Sequence, residues 1–181
     1  MGFLNQVSRR ISGDIDVIKM FELRHAAIKG KGIKKCISRL RYLKMINSCG
    51  AFIPLNCTFG KNCIFPHGVF GVFVSNGAVI GDSCVIFHQV TIGSNTLVDS
   101  KGKGCPTIGN NVYIGTGAKI IGNVKVGNNV RIGANCVVTT DIPDNSTVVM
   151  TKPVIIKHEE RLNNAFITYK ELSNTLDRHP E

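Results

Sequence analysis

The sequence contains no tryptophan, and its 181 residues include only three tyrosines. No apolar run approaches the roughly 20 residues that a membrane-spanning helix needs, which argues against an integral helical membrane protein. The opening stretch MGFLNQVSRRISGDIDVIKM has arginines and aspartates where a secretion signal needs an apolar core, so a cytoplasmic protein is expected. The seven cysteines are odd in number and form no C-x-x-C pair, so neither a disulfide framework nor a bound metal is expected. Acidic residues are missing from the whole interval between Glu22 and Asp82, where nine lysines and arginines fall. With a formal net charge of +10, that asymmetry points to an anionic partner. No nucleic-acid motif accompanies the charge, so DNA and RNA are not expected partners.

What is present is a six-residue clock. Stepping by six from Ile53 meets Phe59 and Phe65; the count resumes at Val74 for Ile80, Ile86 and Ile92. It resumes again at Ile108 and runs through Ile114, Ile120, Val126, Ile132 and Val138. Glycine follows seven of these positions, as in IGDSCV and IGNNVY, and a small or β-branched residue stands four places on, from Cys57 to Ile142. Residues six apart lie on different faces of an α-helix, so the period excludes one. It suits a coil of three short parallel strands with a tight corner between each. The large residue then fills a triangular interior, glycine relaxes the turn, and the small residue packs near the corner. Cys57, Cys63, Cys84 and Cys136 share the small phase and read as compact hydrophobes. The expected fold is mainly β, a parallel β-helix of hexapeptide repeats, with the coil ending after Pro143.

Three regions follow: a basic helical segment at 1–50, the β-helix domain at 51–149 with a loop at 94–106, and a C-terminal extension at 150–181. Gly30 and Gly32 separate two helical patterns in the first region. The second pattern, IKKCISRLRYLKMI, sets Ile33, Ile37, Leu40, Leu43 and Met45 on one stripe. That stripe is expected to pack against the β-helix, with a membrane surface as the other option. The stretch KHEERLNNAFITYKELSNTL is expected to form a helix that closes the C-terminal end.

Two interruptions break the clock. Phe65 to Val74 is nine residues where six are expected, and Ile92 to Ile108 is sixteen. The second insertion, SNTLVDSKGKGCPT, is polar and reads as a projecting loop. His67 lies two residues past Phe65 and His88 two past Ile86, so their phases match across the first insertion. The two imidazoles should therefore stack on one corner, about 5 Å apart. Thr116 and Ala134 occupy the same phase in the next coils. An imidazole at such a corner can take a proton from a weakly acidic hydroxyl, which makes His67 and His88 the catalytic candidates.

These features resemble the serine acetyltransferase-like acyltransferases. The resemblance rests on FPHG, FHQVTIGSN, CPTIGNNVYIGTGAKIIG and VGNNVRIGANCVVTTDIPDN within residues 53–149. It implies a left-handed β-helix, a homotrimer with sites between adjacent subunits, and acetyl-CoA as co-substrate. By position, His67 matches the family's general base, and Thr116 and Ala134 match small residues beside the CoA arm. Lys119, Arg131, Lys152 and Lys157 are candidates for the CoA phosphates, and backbone N–H groups near Ser94 or Gly115 for holding the oxyanion. Three family positions depart: Phe52 and Pro66 stand where aspartates are expected, and Cys105 where a second histidine is expected. These losses, with the short N-terminus, resemble the polysaccharide-modifying branch that includes the colanic acid acetyltransferases. The expected reaction is O-acetylation of a sugar hydroxyl on a capsular or exopolysaccharide, or on its glycan precursor, at the cytoplasmic side of the inner membrane. The alternatives are serine O-acetylation and a non-catalytic trimeric scaffold.

Overall fold

The computed structural model describes residues 16–165. Two helices come first. Helix α1, Val17–Lys29, starts where the Asp16 carboxylate accepts the Lys19 amide at 3.0 Å and stops at Gly30. Helix α2, Gly32–Asn47, follows almost at once.

The two helices lie on the coils through faces that differ from the expected stripe. In α2 the buried residues are Tyr42 and Ile46, with Met45 half-buried, whereas Ile33, Ile37, Leu40 and Leu43 are exposed. The stripe expectation fails because α2 carries two apolar faces, and the tyrosine was not counted in either. Its hydroxyl is the reason: Tyr42 Oη donates to the Ile53 carbonyl at 2.7 Å, satisfying a backbone acceptor at the mouth of the first coil. Arg24 of α1 acts beside it. Buried to 8% exposure, its Nη2 lies within reach of the Pro54 and Leu55 carbonyls at 3.2 and 3.3 Å, and of the Cys57 carbonyl. Its guanidinium also sits 5.5 Å from the Phe59 ring centre. Arg24 therefore belongs to the interior rather than to the basic surface.

The coils pack three parallel sheets around a triangular core. The first face holds Phe73–Val74, Thr91–Gly93, Lys119–Ile121 and Val137–Val138. The second holds Thr58–Phe59, Val79–Ile80, Thr107–Ile108 and Lys125–Val126. The third holds Val85–Ile86, Tyr113–Ile114, Arg131–Ile132 and Thr147–Val148. All strand pairings within these faces are parallel, and residues of the large phase stack inward: Ile80 on Ile108, Ile86 on Ile114, Ile92 on Ile120. Twelve of the thirteen clock positions are buried, Phe59 being half-buried beneath Phe21 of α1.

The glycines serve a different purpose from the one expected. Gly81 does not take a left-handed φ; a Cβ there would stand 2.5 Å from the Gly109 carbonyl oxygen of the coil above. The close stacking of coils requires it. The left-handed corner residues stand two places after the glycines, at Ser83, Asn111 and Asn129, and two places after Pro143 at Asn145. Asparagine tolerates that conformation, and the side chains also ladder, Asn111 to Asn129 at 2.9 Å and Asn129 to Asn145 at 3.0 Å.

The coil does not end after Pro143. Ile142 bridges to Val126, and Thr147–Val148 pairs with Arg131–Ile132. These registers step by sixteen residues rather than eighteen, so a search at strict period six loses the thread and reads Ile142 as a corner residue. From Thr151 a second unit begins, and its described part, 151–165, contains neither helix nor strand. The expected C-terminal helix is absent from 157–165, a stretch with a proline-free but apolar-poor start; the rest of it lies outside the described residues.

Two stability measurements check this account. Arg24→Ala removes the buried donor from the Leu55 and Cys57 carbonyls, the Pro54 carbonyl keeping the Cys57 thiol at 3.0 Å, and should cost about 2–4 kcal/mol in urea unfolding. Burial pushes the Tyr42 phenol up from 10.0 to about 12, the nearby Arg24 opposing it. Its folded pKa thus lies above the unfolded one, so its contribution is intact below pH 10 and lost as pH rises toward 12. The melting temperature of Tyr42→Phe should lack that alkaline component.

Candidate active site

The corner joining the third face to the first carries the histidines. In the first coil the chain runs through it as the extended segment Pro66–Val69 and the three inserted residues, which bury both Val69 and Val72. In the next coil the corner is Phe87 to Val90, and in the one above it Gly115 to Ala118. The parallel register on both sides of the corner, Ile64 to Val85 entering it and Phe73 to Thr91 leaving it, sets the two histidines one above the other.

His67 Nδ1 lies 3.2 Å from His88 Nδ1, with ring centres 5.2 Å apart. His88 Nε2 lies 2.9 Å from Thr116 Oγ1, and that hydroxyl is also 3.1 Å from the His88 carbonyl oxygen. A hydroxyl has one proton. Donated to the carbonyl, it leaves Thr116 Oγ1 to accept from His88 Nε2–H. His88 Nδ1 is then bare and accepts from His67 Nδ1–H, which leaves the lone pair of His67 on Nε2. With that assignment the three stacked side chains hold His67 in the tautomer whose basic nitrogen is free, and among the described residues no carboxylate takes part.

An aromatic wall stands beside the pair. Phe87 meets the His67 ring edge-on at 5.3 Å and leans on Tyr113 at 5.1 Å. Neither aromatic was among the expected site residues. A signal for Phe87 existed, since it fills the phase that holds glycine at 81, 93, 109, 115, 127 and 133. Lys119 also turns to this corner, its Nζ donating to the Gln89 and Gly117 carbonyls at 3.0 and 2.7 Å. One of its three donors is left for a ligand.

Other expected residues are placed elsewhere. Ala134 stands exposed in the His88–Thr116 column, while Arg131 is exposed on the third face beside Tyr113. The Gly115 amide donates to the Ile132 carbonyl at 2.8 Å, so it is not free to hold an oxyanion. Ser94 lies at the opposite end of the first face, where the loop leaves the coil. There a recess of about 510 Å³ opens among Phe52, Ser75, Asn76, Ser94, Lys103 and Cys105. Within one chain, therefore, Ser94 and the histidines occupy different corners. The Cys105 thiol donates to the Asn76 carbonyl at 2.9 Å, and Phe52 stacks on Phe73 with ring centres 6.3 Å apart. Lys152 and Lys157 are exposed in the separate unit that begins at Thr151.

Residues 105–140 match the family described as bacterial transferase hexapeptide (six repeats). Along 169 residues the chain is 34% identical to a serine acetyltransferase of Staphylococcus epidermidis, covering 90% of this chain and 78% of that one. The chain belongs to the serine acetyltransferase-like family of hexapeptide-repeat transferases. A serine acetyltransferase of Helicobacter pylori is 37% identical over 141 residues, which covers 76% of this chain and 78% of the relative. Among solved structures, the Neisseria gonorrhoeae serine acetyltransferase in complex with serine superposes with a TM-score of 0.60 at 29% identity, over 76% of this chain. The soybean serine acetyltransferase complexed with serine gives 0.59 at 32% identity, over 71% of this chain. The chain spans 54% and 52% of those two structures, about half their length. The family is one of acyltransferases, and its coil is the left-handed parallel β-helix. The relatives this chain matches are named as serine acetyltransferases, not as members of the polysaccharide-modifying branch.

The hydrogen-bond chain at the corner has a direct spectroscopic check. Nitrogen-15 spectra of the folded protein above neutral pH should show a pyridine-like Nε2 on His67 and a protonated Nε2 on His88. In Thr116→Val the second assignment should scramble while the first weakens.

Proposed function

We propose that the protein is an acetyl-CoA-dependent O-acetyltransferase in which His67 is the general base. Its Nε2 takes the proton from an acceptor hydroxyl as the oxygen attacks the thioester carbonyl. When the C–S bond breaks, His67 returns that proton to the CoA sulfur. While protonated, His67 donates through Nδ1 to the bare Nδ1 of His88, a charge-assisted bond that does the work a carboxylate does in other bases. The corner fits an acyl carrier: Thr116 and Ala134 keep the column above the histidines free of large side chains, and Lys119 retains a donor for a phosphate or carbonyl. Arg131, Lys152 and Lys157 remain further candidates for the CoA phosphates. Because Ser94 and the loop sit at the other corner of the same chain, we take the working unit to be a homotrimer in which a neighbour's loop faces the histidines.

Serine is the acceptor we put first. The observation that carries it is the extent of the likeness to the Staphylococcus epidermidis serine acetyltransferase, which runs through the helices as well as the coils. A second reading, a sugar hydroxyl of a capsular or exopolysaccharide, is favoured by one feature. Serine brings an ammonium group, and the positions expected to supply aspartates hold Phe52 and Pro66. Apolar residues there suit an uncharged acceptor better.

Thiol release from acetyl-CoA separates the readings. With serine as acceptor the native protein should turn over and oligosaccharides should not; the reverse result would transfer the assignment to the sugar. His67→Ala should lower kcat by about 10²–10⁴ with either acceptor. Activity close to native in that variant would remove His67 from the chemistry. His88→Phe should lose less, about 10-fold or more, because it leaves the base in place but frees its tautomer.

A further inference from the structure

Helix α2 has a second apolar face that no described residue covers. At about 100° per residue, Ile33, Ile37, Leu40 and Leu43 fall within an arc of roughly 120°, opposite the buried Tyr42 and Ile46. Ile33 is 74% exposed and Leu40 62%. Cations flank this stripe on both sides: Lys34 and Arg41 along one edge and Arg39 along the other, all exposed. Lys44 lies at its C-terminal end. Neither α2 nor the chain beyond it as far as Gly81 contributes an acid to neutralise them.

We infer that this face of α2 docks on an anionic lipid surface. An apolar stripe bordered by lysine and arginine is the pattern of a helix lying in the plane of a bilayer interface, where the stripe enters the acyl boundary and the cations meet headgroup phosphates. Charge decides between this and other occupants. A second copy placed stripe to stripe would bring two sets of cations together with no carboxylate between them. A soluble polyanion would match the charge but leave the apolar residues in water. The lipid surface satisfies both halves of the pattern. Because the opposite face of the same helix is anchored on the first coil through Tyr42, docking would hold the coil and its histidine corner at the membrane surface without spanning it.

The test uses the full chain and vesicles of phosphatidylcholine, alone or with one third phosphatidylglycerol. The protein should sediment with the anionic vesicles and not with the neutral ones, and added salt should release it. Replacing Lys34, Arg39 and Arg41 together by Gln should weaken binding by about a hundredfold, near fivefold for each charge. Ile37→Ser with Leu40→Ser should also release the protein, with the melting temperature and thiol-release activity on a soluble acceptor unchanged, since both side chains are exposed. Equal binding to both vesicle types, or no binding, overturns the inference. So does binding to a soluble polyphosphate that survives the serine substitutions. A fall in oligomeric state on those substitutions, without vesicle binding by the native chain, would assign the face to a second copy instead.

Discussion

Everything in this molecule depends on one coil lying directly on the next. The backbone ladder between coils fixes which residues become vertical neighbours, and the spacing is tight enough that a side chain at Gly81 would strike the Gly109 carbonyl. Because parallel strands pair in register, a local insertion cannot be absorbed along the strand; it must bulge at a corner. The three residues added before Val74 do so at the corner that bears His67, and the register on either side continues undisturbed. Stacking thus converts twenty-one residues of sequence separation into a 3.2 Å contact between two imidazoles.

That contact gives the site its chemical character. A carboxylate beside an imidazole holds its tautomer and offsets its charge; a neutral imidazole does the first and only partly the second. Here the second imidazole is itself fixed from above by Thr116, so orientation is passed down a column of three side chains rather than supplied by one buried anion. Phe87 packs edge-on against the His67 ring and leans on Tyr113, which holds that ring from one side.

Much of this was legible in the residues, because a six-residue period leaves few folds open and phase counting predicts vertical neighbours directly. Ile80, Ile108 and their kin needed nothing more than the clock, and the stacking of His67, His88 and Thr116 follows from the same arithmetic. Legibility fails where a residue's role depends on an element outside the repeat. Arg24 looked like one more surface cation until the carbonyls of the first coil were seen to surround it. Tyr42 was invisible to a pattern that counts aliphatic positions. The last coil was misread because it is two residues short, and the Gly115 amide because hydrogen-bond commitments cannot be counted from a motif.

The two ends of the coil share a property that bears on assembly. Any β-helix ends in open strand edges, which invite further strands to add. At the first coil the carbonyls of Ile53, Pro54, Leu55 and Cys57 face donors from Tyr42, Arg24 and the Cys57 thiol. At the last, the shortened turn brings Asp141 onto the Lys125 amide at 2.8 Å and shifts the final strand out of the eighteen-residue step. A strand added beyond the last coil would not meet the eighteen-residue register of the coils before it. Plain continuation of the eighteen-residue ladder is therefore disfavoured at the last coil, while the flanks of the coils carry exposed Phe52, Phe73 and Val137.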